Sequence, residues 1–498
     1  MKTSEGNKHM DLSHHQKDRA LGVILASAAG DALGAPYEFQ PPIADATPVE
    51  LRAGGGWQLG EYTDDTAMAY VLLRQLAQGK SLSDESTLDQ IVADWVDWSQ
   101  TARDVGIQTR SVLGHLDSLT ASAAFSSASE LHDARGRSGG NGSLMRTGPA
   151  AIATLDSEEQ TAINARIVSK LTHFDDDAAD ACILWCLAIR HAVLSGELDI
   201  RIGLPHVRPS AREYWLNLID EAESSKPSDF SNNGWVIHAF QAAWSAICQA
   251  ERLSSDEIEF ESDRLRLALE FAVRAGYDTD TVAAIAGSLA GAKYGLTAVP
   301  AVWRLKLHGW PGITQQQLVE ATYLALNAGQ TYDSGWPMAD KFHYGAQYSD
   351  RGWLERHPID QELWLGGVDS LANLPDSVTA VVSLCRIGKT EVPYRIKDKL
   401  EVLLIDSHKA TSNLDLEFAF ANTADAIARL RAEGHEVFLH CVQSQSRTPA
   451  VAIAYGMRAL GQSLQAAQAS VREALTEAYP NEAFINTLEK LDRKREKK

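Results

Sequence analysis

Two short motifs of oxygen-bearing side chains stand in otherwise apolar surroundings: Thr63-Asp64-Asp65 and, far downstream, Asp278-Thr279-Asp280-Thr281. Either motif alone is typical of a helix start, where Thr and Asp bind free backbone N–H groups and complement the helix dipole. If the two helices are adjacent, however, four carboxylates converge, and such a cluster repels itself unless divalent cations occupy it. Oxygen ligands without His or Cys favour Mg²⁺ or Mn²⁺ over zinc. The pair of motifs therefore predicts a site for Mg²⁺ or Mn²⁺. Helix capping by the two motifs is the competing interpretation.

A second group of residues could do nucleophilic chemistry near the C-terminus. The apolar run 437–440 is followed by Cys441, five further residues and Arg447, and then by an apolar helical pattern. In a strand–loop–helix of this spacing, the loop amides and the arginine fork can surround a phosphate dianion, and the helix N-terminus makes the thiol a better nucleophile by lowering its pKa. Three neighbours and one upstream carboxylate after a strand-like run strengthen the signal: His440, Ser446, Thr448 and Asp406.

The elements that must position these residues are of two kinds. From Arg19 to about Ala328, apolar residues recur with the helical period almost throughout. The stretch 332–358 is rich in Gly, Asp, Tyr and Trp and has neither period, which is typical of a tail and a linker. Amphipathic helical patterns then alternate with β-branched runs at 377–385, 400–406 and 437–440. We predict a disordered tail over residues 1–18, an all-α domain over 19–345, a linker over 346–360 and an α/β domain over 361–498.

Glycines at helical spacing accompany both ends of the helical domain. They lie at positions 22, 30 and 34 and again at positions 287, 291 and 295. Small residues let helix backbones approach each other closely. We therefore expect these two segments to pack tightly in the middle of the first domain.

Five motifs extend in order over roughly residues 19–345. They are GDALGAPYEF at 30–39, YTDDTAM at 62–68, GGNGSLMR at 139–146, THFDDDA at 172–178 and DTDTVAAIAGSLAGAKYG at 278–295. The set resembles the signature of the ADP-ribosylglycohydrolases, a family that includes dinitrogenase reductase-activating glycohydrolase and the hydrolases of ADP-ribosyl-arginine and ADP-ribosyl-serine. The resemblance implies an all-α ADP-ribosylglycohydrolase fold and cleavage of the bond between the anomeric carbon of the ribose and a modified side chain.

The resemblance also implies roles for individual residues. Two magnesium ions would be held by Thr63, Asp64, Asp65, Asp278, Asp280 and Thr281, and would orient a water and lower its pKa. The ADP-ribose would lie against Asn141, Gly142, Ser143, Met145 and Arg146, at a glycine-rich helix entry, with His173 at the pocket wall. Asp64 or Asp65 is the predicted activator of water, and Glu38 is the rival candidate. By residue type alone, His173 could equally be a core histidine and Glu38 a surface residue.

The region from Glu362 to about Asn486 resembles the dual-specificity branch of the protein tyrosine phosphatases. The resemblance implies an α/β cysteine-phosphatase-like domain with four functional residues. Cys441 would be the nucleophile, Arg447 the phosphate clamp, Asp406 the proton donor to the leaving oxygen and Thr448 the hydroxyl that assists the thiolate.

Two residues depart from these family patterns. Tyr277 stands before the DTDT motif, where the first family usually has a small residue or Asn, so we expect a reshaped pocket mouth and an effect on substrate choice more than on chemistry. Ser444 stands where the phosphatase loop normally has Gly. If that position needs a positive φ, serine costs on the order of 1 kcal/mol. An active phosphatase and a phosphate-binding relic are therefore both open for the second domain.

Charge and composition exclude several classes of function. The net charge is -20, and residues 361–498 carry 18 acidic against 17 basic side chains, which leaves 48 against 29 in the rest of the chain. So acidic a first domain is a poor sequence-independent binder of nucleic acid. The apolar runs predict no membrane span, the first eighteen residues lack a secretory signal, and the five scattered cysteines indicate a reducing compartment. We expect a cytoplasmic protein.

Together these features predict a magnesium-dependent hydrolase that removes ADP-ribose from modified side chains, with ADP-ribosyl-arginine the foremost linkage. The second domain would hydrolyse or bind phosphate esters. The expected partners are an ADP-ribosylated protein or an ADP-ribose-containing small molecule, and a phosphorylated partner for the second domain. The alternative is a non-catalytic regulatory or immunity protein that binds ADP-ribose and phosphate. A third option is that both sites process one small metabolite, such as an ADP-ribose phosphate, in succession.

Overall fold

A computed structural model describes residues 11–345 and 353–496 of the chain. The described residues form two compact units. The first unit comprises the chain up to Leu296 together with Leu307–Gln330, and the second comprises Thr297–Lys306 together with the chain from Thr331 onward. The segments 297–306 and 331–345, which lie inside the helical domain predicted from the sequence, thus group with the second unit.

Helices dominate the chain up to residue 326. They are α1 (His14–Gly34), α2 (Asp64–Leu76), α3 (Glu85–Thr101), α4 (Ile107–Leu113), α5 (Ala121–Arg135), α6 (Gly148–Ile152), α7 (Glu158–Lys170), α8 (Asp176–Ser195), α9 (Arg212–Ser224), α10 (Val236–Glu251), α11 (Asp263–Val273), α12 (Thr279–Tyr294), α13 (Ala301–Arg304) and α14 (Gln315–Leu326). All except α13 belong to the first unit. The prediction of helices alone was wrong in one detail, because His308–Gly309 (β1) and Ile313–Thr314 (β2) form a short antiparallel hairpin.

The first helix begins earlier than predicted. Ser13 Oγ accepts a hydrogen bond from Gln16 N at 3.3 Å, and the Gln16 side chain accepts one from Ser13 N at 2.9 Å. This reciprocal capping box starts α1 at His14. Gln16 Nε2 also donates to Leu194 O at 3.1 Å. The predicted tail over residues 1–18 is therefore wrong for its last residues, and positions 1–10 lie outside the described residues.

Helices α1 and α12 pack backbone to backbone in the first unit. A Cβ added at Gly30 would lie 2.2 Å from Ala283 O, and one added at Gly291 would lie 2.1 Å from Gly22 O. Both distances are far below van der Waals contact, so only glycine permits this approach. The predicted tight packing of the two glycine-rich segments is confirmed. It brings Asp31, on the last turns of α1, to the N-terminus of α12.

Two helical segments have the length and apolarity of a membrane span. They are residues His14–Tyr37 and helix α8, whose most apolar stretches are 94% and 78% buried within the fold. Apolarity on every side is what a helix in the core of a large domain needs. Their burial makes these segments weak evidence for membrane insertion.

The second unit contains a five-stranded sheet in the order β3-β4-β7-β5-β6. Its strands are β3 (Leu354–Arg356), β4 (Leu363–Gly367), β5 (Val378–Ser383), β6 (Asp398–Glu401) and β7 (Glu436–Cys441), and its helices besides α13 are α15 (Leu416–Ala432), α16 (Arg447–Arg458), α17 (Leu464–Ala474) and α18 (Glu482–Glu496). Only β3 runs antiparallel to its neighbour. The central strand β7 is almost entirely buried, as expected of a parallel strand, and it ends at Cys441.

Two predictions for this region need correction. The predicted linker over 346–360 contains strand β3, which pairs with β4 along Leu354–Arg356, whereas residues 346–352 lie outside the described residues. The predicted strand over 400–406 ends at Glu401. Beyond it the backbone leaves the sheet, and Leu404 O accepts a hydrogen bond from the Arg447 side chain at 3.2 Å. Apolar β-branched sequence predicted the strand, but a side-chain donor satisfies this carbonyl instead.

Candidate active sites

Both acidic motifs of the first unit begin helices, as the sequence predicts. Thr63 is the N-cap of α2 and Asp278 is the N-cap of α12, yet in the described chain neither side chain makes the capping hydrogen bond with a backbone N–H of its own helix. The groups turn towards each other instead. Thr63 Oγ1 donates to Asp65 Oδ2 at 2.9 Å and lies 3.5 Å from Asp280 Oδ2. Capping alone therefore does not account for these residues.

Five carboxylates form two triads that share one member. Oxygens of Asp31, Asp65 and Asp280 lie within 4.8 Å of one another, and so do oxygens of Glu38, Asp278 and Asp280. Asp280 belongs to both triads. Oxygen clusters of this kind suit hard divalent cations. The predicted ligands Asp65, Asp278 and Asp280 are brought together, and Glu38, predicted only as a catalytic candidate, joins them.

Asp31 is the carboxylate that sequence reasoning missed. Its Oδ1 accepts a hydrogen bond from Thr63 N at 2.8 Å, and its Oδ2 accepts from Thr66 N at 3.0 Å and from Thr66 Oγ1 at 2.6 Å. The side chain therefore fixes the first turn of α2 against α1. An aspartate inside a long apolar helical run was the available signal, because a buried charge needs a specific partner. Burial raises the pKa of Asp31 to about 6.

The remaining predicted ligands lie beside the triads. Asp64 follows Thr63 on α2 and belongs to neither triad of the described residues. Thr281 donates its backbone N–H to Asp280 Oδ1 at 3.0 Å, and its Oγ1 lies 3.9 Å from the Met145 sulfur. These residues shape the site and bring further oxygens to its edge.

The electrostatics of the cluster fit a bound cation. Burial raises the pKa of Asp64 to about 8, and the neighbouring charges of Asp104 and Asp31 add to the effect. The pKa of Glu38 is likewise raised to about 8, by burial and then by Asp278. Asp65 Oδ1 is buried and has no hydrogen-bond partner in the described part of the chain. Carboxylates so crowded ionise together only with a counter-charge, so these residues fit a divalent metal centre.

The glycine-rich segment reaches this cluster through Asn141. Asn141 Nδ2 donates to Asp278 Oδ2 at 2.7 Å and to Asn233 O at 2.8 Å. Residues Asn141–Ser143 form a single 3₁₀ turn, and the following helix α6 begins only at Gly148 and has five residues. The predicted helix entry is therefore a short turn. Asn233, which also accepts a hydrogen bond from Asp278 N at 3.2 Å, was missed because no local pattern marks it.

His173 lies directly behind the glycine-rich segment. A Cβ at Gly142 would lie 3.1 Å from the His173 ring, and one at Gly140 would lie 3.2 Å from it. The ring is buried and its Nδ1 lies 2.8 Å from Thr172 Oγ1. Burial, together with the charge of Arg146, holds the pKa of His173 well below its usual range. A neutral histidine thus supports this wall, and the two glycines let the backbone lie against it.

The side chains of Ser143 and Arg146 face the interior. Ser143 Oγ accepts a hydrogen bond from Ser169 Oγ at 3.0 Å. The Arg146 guanidinium lies 4.2 Å from the centre of the Trp95 ring and donates to Thr172 Oγ1 at 2.7 Å. These two side chains therefore do not face a substrate, contrary to the prediction. They hold the glycine-rich segment in place from its buried side.

In the second unit, the loop after Cys441 joins the central strand to helix α16. Arg447 Nη1 donates to Leu384 O at 3.1 Å and to Leu404 O at 3.2 Å. Within the described chain, the buried Nε of Arg447 and the buried Oγ of Ser444 make no hydrogen bond. Ser444 has a φ of 61°, so the premise that this position needs a positive φ is confirmed. A loop whose buried donors have no hydrogen-bond acceptor is suited to receive an anion.

Asp406 lies at the same loop. Its Oδ1 accepts hydrogen bonds from Ser446 Oγ and from Asn481 Nδ2, each at 2.7 Å, and its Oδ2 lies 3.7 Å from Arg447 Nε. The sequence brought Asp406 to this loop correctly but missed Asn481. The Thr448 hydroxyl donates to Gly366 O at 3.4 Å. Its assistance to the Cys441 thiolate stays a prediction.

Comparisons with known proteins agree with both sites. The family described as ADP-ribosylglycohydrolase matches residues 12–333, and the dual specificity phosphatase catalytic domain matches residues 377–494. ADP-ribosylarginine hydrolase Tri1 of Serratia proteamaculans is 28% identical over 298 residues, which cover 58% of this chain and 75% of that protein. ADP-ribosyl-[dinitrogen reductase] glycohydrolase of Rhodospirillum rubrum is 31% identical over 306 residues, covering 58% of this chain and 90% of that protein.

A human relative extends the same agreement. ADP-ribosylhydrolase ARH3 of Homo sapiens is 27% identical over 331 residues, which cover 59% of this chain and 90% of that protein. The family match spans more than half of the chain and contains both acidic motifs. The chain therefore belongs to the ADP-ribosylglycohydrolase family and carries behind that domain a dual specificity phosphatase catalytic domain.

Proposed function

We propose that the first unit hydrolyses the glycosidic bond of ADP-ribosylated arginine side chains with two Mg²⁺ ions bound. The observation that carries the proposal is the pair of carboxylate triads sharing Asp280. The names of the relatives support the choice of linkage, because one is an ADP-ribosylarginine hydrolase. The net charge of -20 also favours a cationic target side chain over an acidic one.

Different residues of the site would bind the cations, accept a proton and position the ligands. Asp31, Asp65 and Asp280 would hold one cation, and Glu38, Asp278 and Asp280 the other. Bound cations supply positive charge that orients the ribose hydroxyls and makes a water more acidic. Asp64 is the candidate acceptor of the proton from the attacking water, because it adjoins the triads without belonging to either of them in the described structure. Asn141 holds Asp278 in place through its side-chain amide.

A panel of linkages tests this function. The full chain is incubated in Mg²⁺ with peptides carrying ADP-ribosyl-arginine or ADP-ribosyl-serine, and free ADP-ribose is measured. We expect release from the arginine peptide. The variants Asp64→Ala and Asp65→Ala should lose turnover, whereas a protein that acts by capturing ADP-ribose without metal would keep its binding in both variants. If the unaltered chain releases ADP-ribose from neither peptide, the proposed hydrolase function is refuted.

For the second unit, we propose hydrolysis of a phosphate ester on a phosphorylated partner. The Cys441 thiolate would attack phosphorus, and the leaving oxygen would take the proton of Asp406 as its bond to phosphorus breaks. Water would then attack the phosphorus, Asp406 would accept its proton, and the S–P bond would break to release phosphate and the Cys441 thiolate. Arg447 Nε and Ser444 Oγ are buried and make no hydrogen bond in the described structure, which supports anion binding in the loop. Turnover of an aryl phosphate that Cys441→Ser abolishes would support the proposal. Phosphate binding without turnover, in the unaltered chain and in Ser444→Gly, would instead identify a binding relic.

A further inference from the structure

Two exposed aromatic residues of the first unit are chain neighbours of members of the carboxylate triads. Phe39 follows Glu38 directly and is 82% exposed, and Tyr277 precedes Asp278 directly and is 40% exposed. Both have a left-handed backbone, with φ values of 61° and 60°. Bulky residues rarely adopt this conformation, and such outliers persist only where the surroundings impose them.

The surroundings of the two residues impose it through backbone hydrogen bonds. Phe39 N donates to Tyr277 O at 2.6 Å, and Tyr277 N donates to Gln40 O at 2.7 Å. The buried Asn233 holds the segment on both sides of Tyr277, donating to Gly276 O at 2.8 Å and accepting from Asp278 N at 3.2 Å. The two aromatic residues are therefore joined by one network of backbone hydrogen bonds rather than lying on independent loops. We call Phe39 and Tyr277 the aromatic rim.

Phe39 is 82% exposed, so packing does not require its aromatic ring, and the 40% exposure of Tyr277 leaves part of its ring open to solvent as well. Their backbones adjoin Glu38 and Asp278, members of one of the two triads of the proposed hydrolase site. Aromatic faces next to a group of carboxylates are complementary to a planar cation. A guanidinium group has this shape and charge, whereas the hydroxyl of a serine leaving group is small and neutral.

We propose that the aromatic rim binds the guanidinium of the target arginine and makes the site selective for ADP-ribosyl-arginine over ADP-ribosyl-serine. The inference rests on the proposed hydrolase function and assigns to its leaving group a binding surface of its own. Tyr277 and Phe39 are specificity residues in this account and take no part in the proton transfers.

The test compares kcat/KM for the two peptides in Tyr277→Leu, Tyr277→Phe and Phe39→Leu. Leu keeps an apolar side chain without the aromatic face, and Phe keeps the face without the hydroxyl. We expect Tyr277→Leu to lower kcat/KM for the arginine peptide about 5- to 30-fold, the range of a lost cation–π contact. Its kcat/KM for the serine peptide and its Kd for free ADP-ribose should change less than about twofold, and Tyr277→Phe should stay near the unaltered chain on the arginine peptide.

The control is Tyr214→Leu, since Tyr214 is also 40% exposed in the first unit but lies on α9. It should leave both peptides unaffected, and melting curves establish that each variant is folded. Equal losses on both peptides, weaker binding of free ADP-ribose, or no loss in either Leu variant of the rim would overturn the inference while leaving the hydrolase intact. Lack of activity of the unaltered chain on both peptides would instead overturn the hydrolase, and the inference with it.

Discussion

The contact between α1 and α12 offers a quantitative test of how the fold positions the metal ligands. In Gly30→Ala, the new Cβ would lie 2.2 Å from Ala283 O, and ordinary contact begins near 3.4 Å. The helices must therefore separate locally by about 1.2 Å, the difference between these distances. Asp31 is the next residue, and its carboxylate must meet that of Asp280 across this gap. Metal–ligand distances tolerate only about 0.2 Å.

We therefore expect Gly30→Ala to weaken Mg²⁺ binding at least tenfold, in addition to a loss of about 1–3 kcal/mol in unfolding free energy from overpacking. Gly291→Ala is the matched control, because its Cβ would lie 2.1 Å from Gly22 O in the same interface. This position lies eleven residues beyond Asp280 on α12, roughly 16 Å along the helix axis.

Calorimetric titration with Mg²⁺, together with thermal melting, separates the two effects. Both variants should lose similar stability, while only Gly30→Ala should lose Mg²⁺ affinity beyond about threefold. If the two variants lose affinity equally, or if Gly30→Ala binds Mg²⁺ like the unaltered chain, then the close helix contact does not position the carboxylates.

Three further predictions concern the second unit. Burial lowers the pKa of His440 from 6.5 to about 4, so between these pH values the unfolded chain binds a proton that the folded unit does not. Its unfolding free energy in urea should therefore fall by roughly 3 kcal/mol as the pH drops from 7 to 4, and a His440→Gln variant with the same slope would contradict this. Asn481→Ala removes a donor from Asp406 and should lower kcat on an aryl phosphate about tenfold, whereas an unchanged kcat would mean that Asp406 needs no such support. Ser444→Gly relieves the strain of a side chain at positive φ and should raise the unfolding free energy by about 1 kcal/mol. A lower melting temperature would show that the Ser444 hydroxyl contributes more to stability than the backbone strain costs.

The sequence predicted the parts of the sites whose chemistry is local. The two acidic motifs lie at helix starts and converge as expected, because carboxylates repeated at two such places need a common counter-charge. The cysteine loop could also be predicted from local sequence, since its strand, loop and helix are consecutive in the chain. The positive φ at Ser444 was likewise anticipated from the glycine that usually stands at this position.

Other residues could not be placed from local sequence because their partners are remote. Asp31 acts on α2 from the last turn of an apolar helix, and Asn481 reaches Asp406 although the two residues are far apart in the chain. Arg146 was expected at the substrate, but its ring contact with Trp95 and its bond to Thr172 draw it into the core. Only the tertiary fold decides whether such a side chain lies at the substrate or in the core.

The most direct test of this account is the rate of ADP-ribose release from an ADP-ribosyl-arginine peptide before and after removal of divalent cations. We expect release in Mg²⁺, none after chelation, full recovery when Mg²⁺ is restored, and no recovery in Asp280→Ala. Release that persists after chelation, or in Asp280→Ala, would contradict the claim that the two triads hold the cations on which hydrolysis depends.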